Sequence, residues 1–299
     1  MAGVYIGIIL CMRVVQSVFS KYAATSIPQT KEGYVRHLAY RQAAAFVMAA
    51  SLLLIELLWG GSPVACAGET VLYAAVSGAS LAISGLCGLY AISHGTLVLS
   101  SLFGTAGLLV PTIASAILYD ERLRLHRVIA VMGLLLSVWL LIGGGKKRTE
   151  RITRKTLAAL CLVMLGEGGT MLCQKMFGMN VQGGNVSLFS AIQFLAAAGI
   201  ALLSLPFLRI GRAAGDRIEK LPPQSYLYGL LLSVAVFVIS QLATQCVSLV
   251  PAVILFACIN GGATLISAMV GALMFREKLT VRSTFGLVLG VAALIAMKG

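Results

Sequence analysis

The chain has 299 residues, of which 59% are hydrophobic and 11% charged, with a mean hydropathy of +0.95. A soluble domain carries about 25% charged residues, and here the apolar excess runs along the whole length, which excludes a soluble domain with one anchor. The formal net charge is +13, but the basic residues lie in short connections between apolar runs, so they read as membrane orientation rather than nucleic-acid binding.

A bilayer core of about 30 Å needs about 20 apolar residues per helix. On that ruler ten segments are expected, at 3–22, 39–59, 71–91, 97–118, 126–143, 157–177, 187–207, 226–247, 252–274 and 282–297. The first carries Arg13 near its centre, with Gln16, Ser17 and Ser20 at helical spacing on the same face. It lacks a basic n-region, so it reads as a retained helix rather than a cleaved signal. The second and seventh hold Gln42 and Gln193 at comparable points, and Glu56 lies near the outer end of the second, where solvation is expected. The third has Ser77, Ser80 and Ser84 on one face, and Pro111 is expected to kink the fourth. Gly133 and Ser137 in the fifth, and Gly286 and Gly290 in the tenth, are small-residue pairs that suit close helix contact, within the fold or in a homodimer. The sixth carries Glu167, flanked by Gly166, Gly168 and Gly169 and followed by Thr170 and Gln174. The eighth has Ser240, Gln241, Thr244, Gln245 and Ser248; the ninth, entered through Pro251, has Asn260, Thr264 and Ser267.

Arg13 and Glu167 stand out among these. A charge at the centre of a membrane helix costs at least about 2.5–3.5 kcal/mol, so such residues face a cavity or a partner and are functional candidates by default. Each is followed by a lysine eight residues on, Lys21 and Lys175. The halves also align: Ile83-Ser84 matches Ile239-Ser240, and Ile117–Leu123 matches Leu273–Leu279. The expected fold is therefore an all-α polytopic membrane protein of ten transmembrane helices in two five-helix repeats, 1–145 and 156–299, joined by a basic loop at 146–155. An odd number of helices per copy inverts the second relative to the first and leaves the midplane in place.

Basic residues concentrate in the odd-numbered connections: Lys31, Arg36, Arg41; Lys146 to Lys155; Arg209 to Lys220; and Arg276, Lys278 and Arg282. The other side holds Arg122, Arg124, Arg127, Lys175 and Lys298. The positive-inside rule then places the odd connections in the cytoplasm and both termini outside, in an inner or plasma membrane.

Tyr119-Asp120-Glu121-Arg122-Leu123 and Phe275-Arg276-Glu277-Lys278-Leu279, with the small-residue-rich fifth and tenth segments, resemble the drug/metabolite transporter superfamily of EamA type. The sixth segment also resembles the first helix of small multidrug resistance proteins, in which a membrane glutamate is followed eight residues later by a lysine. The resemblance implies a central cavity lined by the first, third, fourth, sixth, eighth and ninth helices. It implies that Glu167 binds protons or a cationic substrate. The chain departs from the smaller family in having Arg13, not a second acid, at the matching position.

Seven cysteines show no metal-binding spacing and read as small apolar packing residues. No metal site and no cofactor are expected. His37, His94 and His126 lie at segment ends, and Asp120 and Asp216 form no catalytic pair, so an enzyme is not expected. A membrane-embedded enzyme is the distant alternative. The best reading is a carrier for a small zwitterionic, amino-acid-like metabolite working by alternating access. The candidate substrate contacts are Arg13, Gln16, Ser84, Glu167, Thr170, Gln174, Ser240, Gln241, Thr244 and Asn260. The alternative is a proton-coupled exporter of organic cations using Glu167. Whether Arg13 pairs with Glu167 or meets a substrate anion stays open.

Overall fold

The computed structural model describes residues 2–59, 68–94, 97–118, 125–142, 153–181, 183–209, 221–247, 249–266, 269 and 281–296. These are helical almost throughout. The helices are α1 (Ala2–Ser26), α2 (Lys31–Trp59), α3 (Gly68–His94), α4 (Leu97–Ala106), α5 (Leu109–Leu118), α6 (Leu125–Ile142), α7 (Arg154–Asn180), α8 (Val186–Arg209), α9 (Pro223–Cys246) and α10 (Ala252–Phe256). A π-helical turn (Ala257–Gly261) continues α10, and α11 (Val281–Ala296) is the last element. The protein is all-α and polytopic, and its outward faces carry unpaired apolar side chains such as Leu58, Ile117, Ile129, Leu203 and Val288.

The expectation of ten transmembrane helices in two inverted five-helix copies is overturned. Among the described residues six helices are long and apolar enough to cross a membrane: Ala2–Ser26, Lys31–Trp59, Gly68–Ser93, Arg154–Asn180, Val186–Pro206 and Pro223–Cys246. The remaining apolar stretches are short, at Phe103–Ala114, Val128–Ser137, Ile254–Ile266 and Thr284–Ala293. The fourth expected helix breaks into two helices of ten residues each, α4 and α5. Pro111 explains the break. It has no N–H for the carbonyl four residues back and its ring crowds that carbonyl, which belongs to Gly107. There the chain turns instead, with Leu108 N–H donating to Thr105 O and Val110 N–H to Gly107 O. Pro111 thus falls in the first turn of α5, where a proline is tolerated. The ninth expected helix is interrupted by the π turn, and α6 and α11, at 18 and 16 residues, are shorter than the usual span.

α2 begins earlier than expected, at Lys31, because its first turns are polar rather than apolar. Thr30 Oγ1 accepts from Gly33 N–H at 3.1 Å, and Arg36 pairs with Glu32 at 2.6 Å one turn apart. His37 and Arg41 consequently lie inside a spanning helix, not in a connection. Lys175, assigned by charge counting to a membrane face, is 1% exposed inside α7. The EamA-like segments 119–123 and 275–279, Cys66 and most of the loop 146–155 lie outside the described residues.

The principal packings join the two halves of the chain: α3 with α7, α2 with α8, α1 with α9, and α6 with α11. The small-residue pairs of the last contact meet within one chain. Ser137 Oγ donates to Gly286 O, Gly133 faces Ala293, and a side chain at Gly290 would collide with Ser137. Arg282 stacks over Trp139 at 4.4 Å across the same seam. A core of Ile9, Met171, Ile239, Leu255 and Ile259 ties α1, α7, α9 and the π turn together beside the polar interior.

Candidate functional site

Polar side chains from α1, α2, α3, α4, α7, α8, α9 and the π turn converge on a cavity of about 200 Å³. Of the expected substrate contacts, Arg13, Gln16, Ser84, Glu167, Thr170, Gln174, Ser240 and Asn260 line it. Gln241 and Thr244 do not. Thr244 Oγ1 donates to Ser240 O within its own helix, and Gln241 is held by Ser187 and Ser190 of α8. Gln241 thereby lies on the stripe of α9 that faces α8, away from the cavity.

Three glycines set the position of Glu167. A Cβ on Gly166 would lie 2.7 Å from Ser80 O, and one on Gly168 would lie 2.6 Å from Gly107 O. The missing side chains let α7 touch the backbone of α3 on one side and the α4–α5 break on the other. Gly169 makes the same allowance for the Ser80 side chain. Glu167 lies between these contacts, half-buried, on the cavity wall beside Gly104. Among the described residues its carboxylate has no hydrogen bond and no ion pair.

Arg13 is held by neutral partners. Its Nη1 donates to Gln16 Oε1 and its Nη2 to Asn260 Oδ1, each at 3.0 Å. Asn260 is itself fixed by donating to Phe256 O and to Met171 Sδ. It sits in the π turn, an irregularity frequent at functional sites because it re-aims a side chain within an otherwise regular helix. Thr105 of α4 donates to Asn260 O at 3.4 Å and shares a 2.6 Å hydroxyl contact with Thr264 just beyond the turn. Among the described residues Arg13 and Glu167 make no ion pair within 4.0 Å, although each lies in the other's electrostatic field.

Four polar cavity residues are not singled out by the sequence pattern: Arg41, Gln193, Ser100 and Thr105. Arg41 was counted with the orienting charges, yet it is 7% exposed and lines the cavity from α2. Its signal was the uninterrupted helical register from Lys31 into the apolar run. Gln193 was noted only for its position. It bridges α3 and α9 by donating to Ser77 Oγ and accepting from Ser240 Oγ, at 3.0 and 2.8 Å. Glu56 is not left to solvent: Asn185 Nδ2 and Ser187 Oγ both donate to it. It thereby sits at the N-terminus of α8, where the helix dipole favours an anion. Among the described residues no group of three or more His, Cys, Asp or Glu could hold a metal ion.

Neither a protein-family model nor a curated protein matches the sequence. One solved structure, described only as a crystal structure of a protein, aligns with a TM-score of 0.70 and 13% identity, over 99% of this chain and 95% of that chain. At that identity the likeness speaks to fold alone. The chain is a polytopic, helix-bundle membrane protein with multiple passes and a polar cavity in its interior.

Proposed function

We propose that the chain is a secondary carrier of the drug/metabolite transporter kind that its sequence resembles, moving a small zwitterionic, amino-acid-like metabolite by alternating access through this cavity. One observation carries the reading: Arg13 and Glu167 face the same buried polar space without pairing. Opposite charges in a low dielectric attract strongly. A pair serving only to strap helices together gains most from direct contact. Charges held apart, one of them by built hydrogen bonds to Gln16 and Asn260, suit a ligand that brings a carboxylate and an ammonium of its own. Proton-coupled export of organic cations fits less well, because two guanidinium groups line the same space.

The test is uptake by the purified protein in proteoliposomes, scanned over amino acids, nucleosides and organic cations. Saturable uptake of zwitterions, competed by other zwitterions, is expected. Transport of cations with no response to zwitterions would overturn the reading.

A further inference from the structure

Among the described residues, the ionisable ones lining the cavity are Arg13, Arg41 and Glu167. Arginine stays protonated in proteins, so with Glu167 ionised the walls hold one positive charge in excess. A buried charge without a counterion is costly. Arg13 and Arg41 both feel Glu167, but one carboxylate cannot neutralise two guanidinium groups.

Among the described residues, the head group of Arg41 also has no hydrogen-bond partner. Arg41 is 7% exposed, and its Nε is buried without a hydrogen bond. Among the described residues no side chain or carbonyl accepts from its guanidinium. Its backbone, by contrast, is fixed: Ser233 Oγ donates to Arg41 O at 2.8 Å. The tip packs over α3 where there is no side chain. A Cβ at Gly85 would lie 2.9 Å from Nη2, so glycine makes the room. Gly85 lines the cavity as well. A fixed guanidinium with free donors presents a planar fork to a carboxylate.

Resting on the carrier reading above, we infer that the substrate is an acidic zwitterion, with one ammonium and two carboxylates, whose second carboxylate is bound by Arg41. Glu167 receives the ammonium, Arg13 the first carboxylate, and the bound complex is electrically neutral.

L-glutamate and L-glutamine are matched probes, differing in shape by almost nothing and in charge by one. Uptake into proteoliposomes is measured for both, with glutarate as the analogue lacking the ammonium. The wild-type protein should show a half-saturating concentration for glutamate at least about tenfold below that for glutamine, the scale of one charge-assisted contact. Arg41→Gln should weaken glutamate at least about tenfold more than it weakens glutamine, and Arg41→Lys should keep part of the preference. Glutarate should compete poorly with glutamate in the wild type and better in Glu167→Gln. Equal use of glutamate and glutamine by the wild type, or a preference that Arg41→Gln leaves in place, overturns this inference and leaves a zwitterion carrier standing. If Arg41→Gln does not fold, the wild-type ratio and Arg41→Lys decide. Uptake of neither amino acid nor of any other zwitterion overturns the carrier reading and this inference together.

Discussion

Arg13 and Glu167 were visible in the sequence because a charge in the middle of an apolar run is rare and costly. What the sequence could not supply was their relation. The partners of Arg13 are neutral amides, and that leads to a stability prediction. If Arg13 and Glu167 were a strut, removing one would strand the other and cost about 3–5 kcal/mol. With Gln16 and Asn260 as partners, Arg13→Met should cost about 3 kcal/mol, the scale of two hydrogen bonds lost from a charged donor. The double variant Arg13→Met with Glu167→Gln should show no rescue. Thermal melting in detergent decides; a large loss in the single variant that the double restores would establish the strut. Glu167 carries a second prediction, because its carboxylate stands free of protein partners among the described residues. Glu167→Gln should remain folded and lose uptake driven by a pH gradient. Unchanged proton-driven uptake in that variant would remove Glu167 from coupling. Arg41, two residues into the expected segment 39–59, is grouped with the orienting charges because a basic residue at the end of an apolar run resembles one in a connection. Only the continuous α2 register shows that it turns inward.

At the scale of the elements, α7 and the α4–α5 break depend on each other. Gly107 and Gly168 approach backbone to backbone, and Gly166 does the same against Ser80 and Ser84. Gly166→Ala and Gly168→Ala should each destabilise the protein by about 1–3 kcal/mol through overpacking. Gly199→Ala in α8, which has open space around its Cβ position, should be neutral or stabilising by up to about 1 kcal/mol. Melting temperatures of the three variants test this, and equal effects would deny the close approach. The glycine cluster around Glu167 was legible as a place for close contact, but not which helices make it. Pro111 announced an irregularity, yet the kink expected at its own position became a break at the residues preceding it. The π turn at 257–261 leaves no signature in hydropathy. Its Asn260 meets Arg13, a contact between residues 247 apart in sequence.

For the whole molecule, composition and apolar periodicity were enough to give an all-helical chain with several membrane passes. The number of spanning helices was not legible. A hydropathy window counts apolar residues whether or not the helix containing them is continuous, and among the described residues four stretches of adequate apolar length are broken or short. Orientation rests on charge alone. A cysteine introduced within 61–67 should be labelled from outside by an impermeant reagent, and one within 146–155 should not; the reverse pattern would invert the orientation without touching the fold. The central claim is that the cavity is a transport site, reached in turn from each side of the membrane. Gly88 allows a direct measurement, because it lines the cavity and a Cβ there would have only Val163 and Ser100 at about 3.9 and 4.0 Å. In a chain otherwise freed of its cysteines, Gly88→Cys should react with an impermeant thiol reagent applied to either face of sealed vesicles, and a saturating zwitterion should slow both reactions several-fold. Reaction from one face only, or from both with no effect of any zwitterion, would contradict the account.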